Sequence, residues 1–379
     1  MWRHEDELQS MLRESVDRYA IANDTLVRFR DKRGSADGFD TQSWRDMAAL
    51  GWTGALLPEE AGGAGLDFLP VLSLAEAIGR NLIPEPFVAS AIIAATVLGA
   101  SDAPAARKLA RALAAGEDVV TLADQEDIAA IEPAAPRTAL HPLDSGGFAL
   151  TGSKIFVPAW TSETRLLVSA TFEGNQVVIA VDAGAPGVAA ETHRMTDGTI
   201  CAHLAFDKTA LDDDALILRG DDATDAIRLA LARGAIALAA QLEGAARRLL
   251  SMTGDYLNER AQFEKPLASF QSVRHGLVSQ HLQIELAGAS WRSAAASLQQ
   301  GLTAESAMRI SAAKARCADA AQGMSKAAIH YHGAFGFTEE ADIGLYANAI
   351  LRWASWLGNA DAHRGRALNL SREQQPTCN

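Results

Sequence analysis

Hydrophobic positions along the chain change rhythm twice. From residue 1 to 117 they recur at helical spacing, interrupted by the loop LLPEEAGGAGLDFLP at 56–70. The helical rhythm resumes in VLSLAEAIGRNL (71–82) and stops at Pro84 and Pro86, which block helix continuation. Between 118 and 221 the runs are short: GGFALTGSKIFVPAW, TRLLVSATF, NQVVIAVDA and CAHLAFD. Rich in β-branched and aromatic residues and separated by Gly, Asp and Asn turns, they predict a small all-β domain. From 222 to 379 alanine and leucine dominate and proline nearly vanishes. There ATDAIRLALARGAIALAAQLEGAARRLLSMTGDYLNER runs without proline, followed by helical stretches around 267–299, 303–330 and 339–369. Four long alanine-rich helices predict a four-helix bundle, with Gly234 and Gly244 small enough for close helix approach. The expected order is a helical domain (1–117), a β domain (118–221) and a bundle (222–379).

Composition narrows the function. At 379 residues the chain exceeds one average domain, and 48% hydrophobic with 21% charged residues fits a soluble protein with a large core. A formal net charge of −13 argues against nucleic-acid partners, yet a few local arginines can still hold a phosphorylated ligand. Cys201, Cys317 and Cys378 are widely spaced, with no CxxC, so neither a disulfide framework nor a metal site is expected. MWRHEDELQS lacks an apolar signal core, and no uninterrupted apolar run has membrane-spanning length. The expectation is a cytoplasmic protein with no membrane partner.

One stretch asks for more. YLNERAQFEKPLASFQSVRH (256–275) ends a helix in Arg-x-Gln-Phe, passes Pro266 and restarts with Phe-Gln. Arg260 reads either as a charge complementing a helix C-terminus or as a guanidinium fork suited to phosphate.

Four segments, in this order, resemble the flavin-dependent acyl-CoA dehydrogenases along nearly the whole chain. LGWTGALLPEEAGGAGLDFLPVLSLAEAIGR resembles that family's N-terminal segment, and GFALTGSKIFVPAW its β-domain strand pair. YLNERAQFEKPLASFQ is similar to its Arg-x-Gln-Phe helix, and IHYHGAFGFTEE to its glycine-rich turn. The resemblance implies an α+β multidomain fold: an N-terminal α-helical domain, a small middle β-barrel and a C-terminal four-helix bundle. It implies FAD, with Arg260 on the pyrophosphate, Phe263 on the cofactor, and Phe270 with Gln271 at its adenosine half, across a subunit interface. His330, Gly333, Ala334, Gly336 and Asn359 fall at further cofactor positions, as do Asp124, Gln125, Phe156, Val157 and Pro158 in the β domain. Asp225 and Arg228 fall on the substrate side, and Arg228 reads alternatively as a surface charge in the first turns of the long helix. His332 reads as ordinary helix-end packing.

The implied chemistry is α,β-dehydrogenation of an acyl-CoA thioester, with electron-transferring flavoprotein as acceptor and a homotetramer or heterotetramer as the assembly. Three departures mark this chain. The usual acidic, glycine-rich segment opening the β domain is LADQEDIAAIEP here, keeping Glu126. With PEPFVAS and RMTDGT, it resembles the branch that acts on steroid side chains and other bulky acyl-CoAs. Pro158 replaces a threonine whose hydroxyl normally faces the flavin. Finally, the family's catalytic glutamate has no counterpart: one usual position, counted from Gly336, is Leu357, and the other is Ile227. Asp225, Glu243, Glu340 and Asp361 remain as carboxylates whose ordinary reading is solvated or ion-paired. A base-lacking subunit of a heteromeric enzyme fits this pattern. A homotetramer with a relocated base, a flavoprotein doing base-free thioester chemistry or oxygenation, and a non-catalytic paralogue remain open.

Overall fold

The computed structural model describes residues 7–36, 38–128 and 135–373. It divides into a helical unit (Met1–Asp31, Leu69–Ile83, Ala235–Asn379) and a sheet unit (Lys32–Phe68, Pro84–Gly234). Cys201 and Cys317 are buried free thiols; Cys378 lies outside the described residues.

Three long helices, Asp221–Glu259, Gln271–Leu298 and Ala304–His332, supply most of the bundle. The fourth expected helix is two, Ile343–Ser355 and Ala360–Glu373, because Leu357 and Gly358 take positive φ (57° and 103°) and reverse the chain between them. The helical unit also takes in most of helix Phe68–Arg80, which composition placed with the N-terminal zone. Two glycines explain the attachment. A Cβ on Gly244 would stand 2.0 Å from the Glu76 carbonyl oxygen, and one on Gly79 would stand 2.2 Å from that of Gln241. Only backbone-to-backbone packing fits there. Helix Asp221–Glu259 is long and apolar enough to cross a membrane, but 83% of its most apolar window is buried inside the protein.

The sheet unit is built on eight strands: β1 (Val120–Ala123), β2 (Ala139–Pro142), β3 (Phe148–Pro158), β4 (Arg165–Phe172), β5 (Asn175–Asp182), β6 (Val188–Arg194), β7 (Ile200–Leu211) and β8 (Leu216–Arg219). Their order is β6-β7-β3-β2-β4-β5-β8, with β1 joined in parallel to β4. Among the described residues β6 and β8 do not pair with each other, so the barrel is open in its hydrogen bonding. Alternation places Leu150, Val168, Ile179, Ala202, Leu204 and Phe206 in one apolar core. Their sequence neighbours point the other way.

Candidate functional site

In the sheet unit, the strand motif forms around a buried cation. Lys154 is fully buried, and its Nζ donates to Glu126 Oε1 (2.7 Å), Ser169 Oγ (2.9 Å) and the Asp124 carbonyl (3.3 Å). Glu126 also accepts from Thr138 N (3.0 Å), Thr138 Oγ1 (2.7 Å) and Arg137 N (2.7 Å). Burial alone would raise the Glu126 pKa, but Lys154 and the Thr138 donors outweigh it and hold the carboxyl at about 2. Asp124 goes the other way: burial raises its pKa against the pull of Lys154.

This cluster fixes the strand just beyond it. Ile155 N donates to the Gln125 carbonyl (2.8 Å), and the β3–β7 register breaks between Lys154 and Val157. Phe156 sits in that bulge at φ 52°, a left-handed conformation unusual for a bulky residue. Bulges re-aim side chains, and Phe156 turns to the outer face while Val157 goes into the core. Val157 can therefore offer a ligand its backbone only.

The Arg-x-Gln-Phe stretch lies in the helical unit. Helix Asp221–Glu259 ends at a minute hairpin pairing Ala261–Gln262 with Lys265–Pro266. Its two turn residues, Phe263 and Glu264, have φ of 55° and 65°, positions where Gly or Asn is preferred. Phe263 is 83% exposed on this strained turn, edge-on to Phe270 at 6.0 Å. Arg260 and Gln271 are exposed too, and Arg260 makes no ion pair among the described residues. Strain and exposure together suit a contact that the lone chain does not make.

The glycine turn lies beside this hairpin. Tyr256, one helical turn before Arg260, stacks on His332 (4.2 Å) and faces Phe335 at 6.4 Å. His332 is buried with Nδ1 2.8 Å from the Ala328 carbonyl, a packing residue as expected. His330, Gly333 and Ala334 are exposed. Gly333 has φ 59° with open space where a Cβ would be, and Gly336 packs against the Ile329 carbonyl. The structure thus brings 256–271 and 330–336 together. Asn359 caps the last helix, its Oδ1 accepting from Ala362 N (2.9 Å), and it is exposed.

Leu357 is half-buried, and its turn is clamped. The buried Lys314 Nζ donates to the carbonyls of Trp353 (3.1 Å), Ala354 (3.1 Å) and Gly358 (3.2 Å). His363 Nε2 lies 3.0 Å from the Leu357 carbonyl; burial and nearby Lys314 lower its pKa to about 3, so it donates as a neutral imidazole.

The remaining carboxylates are occupied or exposed. Glu243 is buried at the helix crossing and paired with Arg247; burial, reinforced by the Glu76 carboxylate, raises its pKa. Asp361 pairs with Arg364 at 2.6 Å. Asp225, Glu340 and Arg228 are exposed, and Ile227 is buried. One desolvated arginine of helix Asp221–Glu259 is Arg233, which sequence reasoning missed. Its Nη1 donates to Thr96 Oγ1 (3.3 Å), its guanidinium lies 5.2 Å from the Phe68 ring centre, and burial lowers its pKa. The signal was an arginine inside an alanine-leucine run, where a solvated charge is out of place.

Helical segments before and after a run of strands in the sequence, with these motifs in this order, define the acyl-CoA dehydrogenase class of fold. Sequence models of that family match here: the acyl-CoA dehydrogenase N-terminal domain at 6–117 and the C-terminal domain at 224–368. The chain belongs to the acyl-CoA dehydrogenase family, FAD-dependent oxidoreductases that dehydrogenate acyl-CoA thioesters. It is 27% identical over 346 residues to acyl-CoA dehydrogenase FadE27 of Mycobacterium tuberculosis, covering 89% of each chain. Among solved structures, a variant of the Tcur3481-Tcur3483 steroid ACAD is 30% identical, with 97% of each chain covered and a TM-score of 0.84. The ChsE4-ChsE5 complex from Mycobacterium tuberculosis has the same fold (TM-score 0.86, 23% identity, 98% of this chain and 99% of that one).

Proposed function

We propose that this chain is an FAD-binding subunit of a heteromeric acyl-CoA dehydrogenase whose partner, a paralogous chain of the same fold, supplies the catalytic carboxylate. One observation carries the reading. Leu357, which the family resemblance aligns with the base, sits on a clamped turn, while Arg260, Phe263 and Gln271 stay exposed beside the glycine turn. The two-chain ChsE4-ChsE5 complex supports a heteromeric assembly. The exposed apolar stripe Val278, Leu282 and Leu286 on helix Gln271–Leu298 suits burial against another subunit, like or unlike.

The donor set fits the cofactor: an unpaired guanidinium for a pyrophosphate, an exposed ring on a strained turn, and a glycine with open space above it. Arg260, Phe263, Phe270 and Gln271 would hold FAD with His330, Gly333, Ala334, Gly336 and Asn359. In the sheet unit, Asp124, Gln125, Phe156, Val157 and Pro158 are assigned to the cofactor by the family resemblance. FAD, when bound, supplies the acceptor for the hydride leaving the acyl β-carbon. This chain's residues position and exclude water: Leu357 moves no proton, and Pro158 offers no hydroxyl. Asp225 and Arg228 are assigned to the substrate side. The steroid ACAD likeness supports a bulky, steroid-type acyl-CoA; electron-transferring flavoprotein as acceptor and a cytoplasmic setting are what the family resemblance implies.

Arg260→Ala is expected to lower the flavin content of the purified assembly, since a charge-assisted contact is worth about 1.5–3 kcal/mol. The ratio of flavin to protein absorbance reads it directly. A wild-type protein that carries no flavin even after reconstitution with FAD would overturn the cofactor assignment.

A further inference from the structure

We propose that Glu191, His193 and His203 form a binding site for a divalent transition metal of the zinc class on the outer face of the sheet. The spacing of these residues along the chain announces no metal motif; strand pairing creates the cluster. Glu191 of β6 is the direct partner of His203 of β7, and His193 lies two residues along β6 on the same face. Ala202 and Leu204 point into the core, so His203 between them points out.

The three side chains each offer one ligand atom, and these atoms lie within 4.8 Å of one another. The imidazole centroids of His193 and His203 are 4.4 Å apart, tilted by 53°. A Glu191 carboxylate oxygen stands 3.7 Å from His193 Nε2, too far for a hydrogen bond. Both Nε2 atoms are buried and have no hydrogen-bond partner among the described residues. Such orphaned nitrogens are rare and unfavourable, and here two converge on one carboxylate.

A metal ion resolves the arrangement. Two neutral imidazoles and one carboxylate are a donor set for borderline ions such as Zn²⁺, with bonds of about 2.0–2.2 Å. Closing from the present separations needs small side-chain rotations. Glu191 is exposed and free to make one, while the edge of Phe156, 4.9 Å from His203 centre to centre, braces that ring. The ion would clip β6, a sheet edge that among the described residues pairs only with β7, onto its neighbour. Edge strands are the weak margin of a sheet, so the site reads as a staple of that margin.

The test uses the full chain, stripped with chelator and titrated with zinc chloride by calorimetry, with metal content measured after desalting. One equivalent bound per chain, and a melting temperature that rises with zinc, are the expected results. His203→Gln and His193→Gln should each weaken binding by at least about tenfold, the scale for disturbing a metal site. Both should also abolish the zinc-dependent rise in melting temperature. Glutamine keeps the volume and polarity, and circular dichroism of each variant confirms folding independently of metal. If one variant fails to fold, the other decides, because both histidines are required. Less than stoichiometric binding, or zinc affinity unchanged in a folded variant, would overturn the proposal and assign any bound metal to other surface histidines.

Discussion

Leu357→Glu, in FAD-loaded protein, is expected to accelerate acyl-CoA-dependent flavin reduction by about 10²–10⁴-fold over a Leu357→Gln control, the usual worth of a general base. The backbone is prepared for it. Lys314 and His363 hold the turn through the carbonyls of Trp353, Ala354, Leu357 and Gly358, and none of these contacts involves the residue 357 side chain. Glutamate meets the same φ of 57° that leucine already tolerates and adds little volume. Half-burial should raise its pKa, because desolvation disfavours the charged form. The stability cost is about 1–3 kcal/mol where the carboxyl lacks partners. Anaerobic bleaching of the flavin band with a panel of acyl-CoAs measures the gain. A folded, FAD-loaded variant that no acyl-CoA bleaches would show that Leu357 does not occupy the base position or that this pocket holds no substrate.

Glu126→Ala is expected to destabilise the sheet unit by about 3–5 kcal/mol, the cost of removing one partner from a buried ion pair. Lys154 would keep its charge in a site with no solvent exposure, left with Ser169 and the Asp124 carbonyl. Thr138 and Arg137 would lose their acceptor as well. Pairing it with Lys154→Met should recover part of the loss, since the orphaned ammonium is then gone, while Asp124 loses the cation that offsets its burial. The wild-type pair also has a pH signature. The folded Glu126 pKa, about 2, lies below the reference 4.5, so its stabilisation is complete above that reference and disappears as pH falls through the folded value. Glu126→Gln should therefore lose less stability than wild type between pH 5 and pH 2. Denaturant midpoints across that range decide it, and a Glu126→Ala cost under about 1 kcal/mol would refute the buried-pair account. Because the same cluster anchors the bulge at Phe156, the alanine variant should also retain less flavin.

Periodicity made the long helices legible, since apolar spacing and missing proline are properties of the chain itself. Where the last helix breaks was not, because Leu357 gives no sign of a left-handed turn; the break depends on Lys314, more than forty positions earlier in sequence. Arg260, Phe263 and the glycine turn were legible as motifs. Their adjacency was not, for it passes through Tyr256 stacking on His332, a contact between helices. Val157 falls at a cofactor position by motif, and only the bulge reveals that its side chain enters the core and leaves its backbone to a ligand. The histidine pair of β6 and β7 was invisible for the same reason: cross-strand register is a tertiary fact.

The most direct test of the account is anaerobic flavin reduction by acyl-CoA, measured on the purified chain alone and after assembly with a carboxylate-bearing paralogue. The account predicts that the chain alone binds FAD and is reduced at most slowly. The assembled heteromer should turn over in the ordinary enzymic range of about 1–10³ s⁻¹. A homotetramer of this chain that is reduced at such rates without any partner would contradict it.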